Sequence, residues 1–113
     1  MNEEFRNATR RELHTVVEVI DTMTGQRCGR VVDLSSTGMQ LAGSTPLTND
    51  ALYQWEFTLP GGSLGHPVIC GAHVLWTSTP APGEYTAGVR FIQIDRASRE
   101  AIRQWCEVQV RSP

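Results

Sequence analysis

Turn residues punctuate this chain at short, regular intervals, and that punctuation constrains its fold more than any other feature. Between the breaks lie runs rich in β-branched and aromatic residues, at 16–20, 28–34, 38–41, 52–59, 67–76 and 85–94. Asp21-Thr22-Met23-Thr24-Gly25, the stretch from Gly43 to Asp50, Pro60-Gly61-Gly62-Ser63 and Thr79-Pro80-Ala81-Pro82-Gly83-Glu84 are turns or loops by composition. Six short strands result. Their spacing points to a six-stranded antiparallel barrel or tightly rolled sheet, because closure protects edges that a flat sheet leaves open. Only the end is helical. Asp95 is a good helix cap, and Ile102, Trp105 and Cys106 fall on one face, with Arg99, Arg103 and Glu107 elsewhere. That face is expected to plug or cover the barrel, with Cys106 as a small buried apolar residue. Residues 1–15 alternate charges without an apolar period and read as a flexible N-terminal arm, leaving 16–113 as the barrel and helix of a single domain.

Composition narrows the function classes. At 113 residues there is room for one core. No apolar run approaches the ~18 residues of a membrane span, and the polar start MNEEFRNATRRE lacks the apolar stretch of a signal peptide, so a cytoplasmic protein without membrane insertion is expected. Ten basic against twelve acidic residues give a net charge of −2, which offers no field for holding DNA or RNA non-specifically. Three cysteines at long spacings without a C-x-x-C pair read as reduced thiols. All ten basic residues are arginines, whose planar fork suits phosphate and the O6/N7 edge of guanine. Base composition of the genome is the plain alternative for that bias.

Catalytic and metal constellations are absent from the pattern. His66 and Cys70 share a strand parity that His73 does not, which argues against a metal set. Gly61-Gly62-Ser63-Leu64-Gly65 lacks the lysine and the following helix of a phosphate loop. There is no G-x-S-x-G elbow, and the chain is read as a binding protein with no cofactor rather than an enzyme.

What remains is a polar cluster. Arg6 and Arg10 lie four residues apart in the arm, with Arg11 beside Arg10, and supply guanidinium groups on a segment able to close over a surface. Asp33-Leu34-Ser35-Ser36-Thr37-Gly38 joins two strands, and Asp33 and Ser35 share a parity opposite to Leu34. Gly38 permits a positive φ or a close approach of ligand to the backbone. Each piece alone has an ordinary role in turns or solvated surfaces. Together they suit a guanine nucleotide, whose N1/N2 edge donates to a carboxylate while its O6/N7 edge and phosphates take arginine.

These residues resemble the two signatures of the PilZ domain, R-x-x-x-R and [D/N]-x-S-x-x-G, here Arg6-Asn7-Ala8-Thr9-Arg10 and Asp33-Leu34-Ser35-Ser36-Thr37-Gly38. The resemblance continues through Gly29-Arg30-Val31-Val32 and Gly88-Val89-Arg90-Phe91 to Asp95 and the closing helix. It implies a six-stranded barrel and a bacterial receptor for the second messenger cyclic di-GMP, which controls motility, adhesion and biofilm formation. By position, Arg6 and Arg10 would clasp guanine edges and phosphates, Asp33 and Ser35 would bond the base, and Gly38 would admit the ligand. Arg11, Ser36 and Trp76 are further contacts, the indole as a stacking face. Many relatives carry another arginine where this chain has Phe5, which favours one nucleotide per chain. Ligand is expected to order residues 5 to 14 against the barrel and so build a surface for a downstream protein. Two alternatives stand beside this: a PilZ-fold adaptor that binds no nucleotide, and a small-barrel binder of single-stranded nucleic acid using Trp55, Trp76 and Tyr85 as stacking platforms.

Overall fold

Strand pairing closes on itself. The computed structural model describes residues 8–61 and 64–111. Strands β2 (Glu18–Asp21), β3 (Arg27–Leu34), β4 (Gly38–Gly43), β5 (Leu52–Phe57), β6 (Val68–Ala81) and β7 (Glu84–Ile94) pair antiparallel in the order β3-β2-β5-β6-β7-β4, and β4 returns to β3. This is the closed six-stranded barrel that the turn spacing predicts. Inward residues alternate along each strand, so Val31, Met39, Leu41, Trp55, Val74 and Val89 meet in the core at 2% exposure or less.

Local chemistry explains the hairpins. The Asp21 carboxylate accepts from the backbone N–H of Met23 at 2.7 Å and Thr24 at 3.2 Å, and Gly25 takes the φ of 76° that closes the β2–β3 turn. Strand β6 runs five residues past its expected end at Trp76, because only Pro82-Gly83 are needed to turn into β7, with Gly83 at φ 78°. Pro80 is tolerated there because it falls where the register shifts between Ser78 and Ala81, a place with no ladder donor to lose.

Two bulges set which residues share the outer face. The β3–β4 register shifts between Val31 and Asp33, and the β6–β7 register shifts between Val74 and Trp76. Each inserts one residue and resets the alternation, so Arg30 and Asp33 both point outward, as do His73 and Trp76.

The expected arm is held in part. Arg11–Glu12 form a two-residue strand, β1, pairing with Leu34 and Asp33 of β3 on the edge that β2 occupies further along. The Leu13 N–H donates to Val32 O at 3.0 Å and the Val31 N–H to Val17 O at 2.9 Å, so residues 11–17 follow β3 closely. Helix α1 (Arg96–Arg111) is capped by Asp95, whose carboxylate accepts the Ser98 N–H at 2.6 Å and lies below its usual pKa chiefly for that reason. Ile102 and Cys106 are buried at 0% and 1% exposure, and the Cys106 thiol donates to Leu34 O at 3.1 Å. Arg11 ties the arm to the helix: its guanidinium lies 4.0 Å over the Trp105 ring and donates to Trp105 O at 2.9 Å. No helix among the described residues is long and apolar enough to cross a membrane.

Candidate functional site

Strand register assembles the site. Glu12 pairs with Asp33, Asp33 with Gln40, Gln40 with Gly88 and Gly88 with Trp76, which makes one row of outward positions across β1, β3, β4, β7 and β6. Arg10 stands two residues before Glu12, shares its face and is diagonal to Asp33. Its Nη1 donates to the Asp33 carboxylate at 2.5 Å, with side chains 34% and 20% exposed. The second arginine of R-x-x-x-R thus meets the aspartate of D-x-S-x-x-G across 23 residues of sequence. Arg6 and Phe5 lie outside the described residues.

Ser35 takes a different place from the one expected. It is fully buried, and its Oγ accepts the N–H of Thr37 and of Gly38, each at 3.2 Å, while approaching Gly38 O at 3.3 Å. The hydroxyl organises the turn, as serines commonly do in such loops. Gly38 is buried and has no positive φ: its carbonyl accepts from Ser35 N–H at 2.8 Å and it enters β4 directly. The positive-φ role weighed for it is therefore not used. Ser36 is half-buried at the tip of the turn. Arg11 points away from Arg10, as adjacent strand residues do, and is engaged by Trp105.

Trp76 closes the far end of the row. A Cβ built on Gly88 would lie 2.1 Å from the indole Nε1, so the ring rests across the glycine, and Trp76 remains 42% exposed. Trp55 is different. It is fully buried and stacks on Tyr53 with ring centroids 5.4 Å apart, which removes it as a platform for single-stranded nucleic acid. Among the described residues no group of His, Cys, Asp and Glu is arranged to hold a metal ion.

Residues that the linear pattern did not single out also face this surface. Gln40 sits in the central row, and Arg90 pairs with Gly38 on one side and His73 on the other, one outward position beyond Gly88. Arg30 pairs with Ala42 one row the other way, at the meeting of two grooves of about 530 and 380 Å³ that share Arg30, Ala42, Gly43 and Ser44. These grooves lie beside Asp33 rather than over it. The floor is made of small residues (Ala42, Gly88) and the rim of Arg10, Arg30, Arg90 and Trp76. From β3 to β6 it spans three strand spacings, about 14 Å.

The described residues thus form a closed antiparallel β-barrel whose N-terminal segment pairs with the strand that carries the second signature. The family model of the PilZ domain matches residues 4–108, and the chain belongs to that family. Solved structures agree in fold. The inhibitor of motility MotI/DgrA of Bacillus subtilis is similar at 14% identity and a TM-score of 0.76, over 93% of this chain and 51% of that one. MrkH of K. pneumonia, solved as its complex with c-di-GMP (cyclic di-GMP), is similar at 17% identity and a TM-score of 0.72, over 93% and 52%. The PilZ domain of Escherichia coli YcgR, solved with c-di-GMP, is similar at 15% identity and a TM-score of 0.69, over 94% and 92%. The chain spans about half the length of MotI and MrkH. No curated protein sequence matches it.

Proposed function

We propose that this PilZ domain is a cytoplasmic receptor for cyclic di-GMP that binds on the outer barrel face between Arg10 and Trp76 and signals to a downstream protein without turning the ligand over. The observation that carries the proposal is the Arg10–Asp33 pair, because it joins the two signature motifs at the end of a row that finishes in an exposed indole. A carboxylate offers about four acceptor directions, so Arg10 does not exhaust Asp33, and a guanine N1–H and N2–H fit the remainder. Arg10 then serves a phosphate or base edge, and Trp76 stacks on the second purine. Arg6, from the same motif, adds a cation as the arm orders. PilZ-fold proteins solved with c-di-GMP support the choice of ligand. Control of motility, adhesion or biofilm formation is the process proposed for the signal.

Several contacts must act together. A hydrogen bond to a charged group nets about 1.5–3 kcal/mol, and micromolar affinity needs about −8 kcal/mol after ordering costs. The test is titration calorimetry with cyclic di-GMP, using GTP as control. Arg10→Ala and Asp33→Ala are each expected to weaken binding by about tenfold or more. Unchanged affinity in both variants sinks the site, and the stoichiometry decides between one and two nucleotides per chain. Arm ordering is read separately, as slower backbone hydrogen exchange at residues 8–14 on ligand addition. A second proposal, the nucleotide-independent adaptor, is favoured by one observation: Met23, Leu52 and Ile92 are exposed apolar side chains around a groove of about 330 Å³. A folded wild type that gives no heat with cyclic di-GMP selects it.

A further inference from the structure

Arg90 is half-buried, and among the described residues no carboxylate pairs with it, whereas Arg10 and Arg27 are each paired with a carboxylate and Arg103 with two. Its Nε–H donates to His73 Nδ1 at 3.0 Å. A neutral imidazole that accepts at Nδ1 carries its proton on Nε2, and that atom lies 2.6 Å from the Asp50 carboxylate. Asp50 itself sits at φ 68°, a left-handed conformation uncommon outside glycine. The relay Asp50–His73–Arg90 therefore fixes one edge of the guanidinium and leaves both Nη groups without an acceptor among the described residues. A planar fork held at Nε and open at Nη presents parallel donors, the pattern that recognises two adjacent acceptors.

Position indicates what those acceptors are. Arg90 is the next outward residue along β7 from Gly88, and Gly88 lies under the Trp76 indole. A purine stacked on that indole would lie over the Gly88 position of β7, one outward position from Arg90. Guanine alone among the bases offers two acceptors there, O6 and N7. We infer that Arg90, oriented by His73 and Asp50, is a further ligand-binding residue that reads the O6/N7 edge of the guanine stacked on Trp76. The inference rests on the cyclic di-GMP proposal and extends it: Asp33 serves the N1/N2 edge of one base at one end of the row, and Arg90 serves the opposite edge of the other base at the far end. His73 is a positioning residue, since it touches Arg90 and not the ligand.

The test is calorimetry with cyclic di-GMP and with its 7-deazaguanine analogue, which lacks the N7 acceptor. Arg90→Ala is expected to weaken cyclic di-GMP binding by about tenfold, one good bidentate contact. The analogue is expected to bind several-fold more weakly than cyclic di-GMP to the wild type and equally to Arg90→Ala. Arg90→Lys keeps the charge, loses the fork and should behave as Arg90→Ala, and it serves should the alanine variant fold poorly. His73→Asn, whose side-chain oxygen replaces Nδ1 as acceptor, should retain affinity, while His73→Ala should lose it and add nothing to Arg90→Ala. Equal penalties for the analogue in wild type and Arg90→Lys, or unchanged affinity in both Arg90 variants while Arg10→Ala is impaired, overturn the inference alone. A wild type that does not bind cyclic di-GMP overturns the inference and the receptor proposal together.

Discussion

Gly88→Ala removes the Trp76 platform without touching Trp76. The added methyl would sit 2.1, 2.4 and 2.8 Å from the indole Nε1, Cε2 and Cζ2, distances that no Cβ sustains. The obstruction is a surface side chain and not backbone, so the ring swings out and the barrel keeps its pairing. Gly88 has no positive φ, which means alanine gains about 0.4–1 kcal/mol from a less flexible unfolded chain. That gain offsets the lost indole contacts, and the unliganded melting temperature should change little. Affinity should change a great deal: base-on-aromatic stacking contributes about 1–3 kcal/mol, roughly 5- to 150-fold in Kd. Calorimetry with cyclic di-GMP measures it. Acrylamide quenching reports the ring as a change from wild type, because Trp55 is fully buried and the half-buried Trp105 on α1 lies under Arg11, so only Trp76 becomes more accessible. Trp76→Ala should match Gly88→Ala, and the double variant should be no worse. Wild-type affinity in Gly88→Ala with a displaced ring refutes the stacking role.

Two further outcomes follow from burial. Ser35→Ala leaves the N–H groups of Thr37 and Gly38 without the hydroxyl oxygen, a cost of about 1–3 kcal/mol that lowers Tm by about 4–8 °C per kcal/mol in the absence of any ligand; an unchanged melt would return Ser35 to a purely ligand-facing role. Burial pushes the Cys70 thiol up to about 12 and Cys106 up to about 11, so the folded state keeps both protonated after the unfolded chain has begun to release them near pH ~8.5. Native chains then bind more protons, and the stability this adds is complete below that unfolded value and lost as pH rises toward 11 and 12. The urea midpoint should fall over this range more steeply in the wild type than in a Cys70→Ala/Cys106→Ala variant, and parallel profiles contradict the burial argument.

Strand number, pairing sense and the capped helix were legible because each rests on local chemistry. Asp21 and Gly25 close a turn by hydrogen bonds and φ that depend on those residues alone, and Asp95 caps α1 in the same way. The signature residues Arg10 and Asp33 were legible as chemistry. Their contact was not, since it depends on β1 pairing with β3, and a two-residue strand leaves no periodic trace. Parity puts Ser35 on the face of Asp33, and its ligand role is what the family resemblance implies; the chain leaves the strand at Leu34, and beyond that point parity no longer decides direction. Arg30 and Arg90 escaped for a related reason. Strict alternation places Arg30 opposite Asp33 and His73 opposite Trp76, and the bulges after Val31 and Val74 reverse both.

Those bulges also decide which arginines an acidic chain presents on its outer face. Over the whole sequence acidic residues outnumber basic ones by two, which excludes a long-range attraction for phosphate. On the outer face, however, Arg10, Arg30 and Arg90 stand on neighbouring outward positions with Asp33 and Glu12, while Arg27 is taken by Glu18. Among the described residues no carboxylate pairs with Arg30 or Arg90. Without the shift at Val31, Arg30 would point into the core, and without the shift at Val74, His73 and Trp76 would take opposite faces. The register irregularities thus bring Arg30 to the outer face with Asp33, and His73 to the same face as Trp76, in a chain whose net charge is acidic.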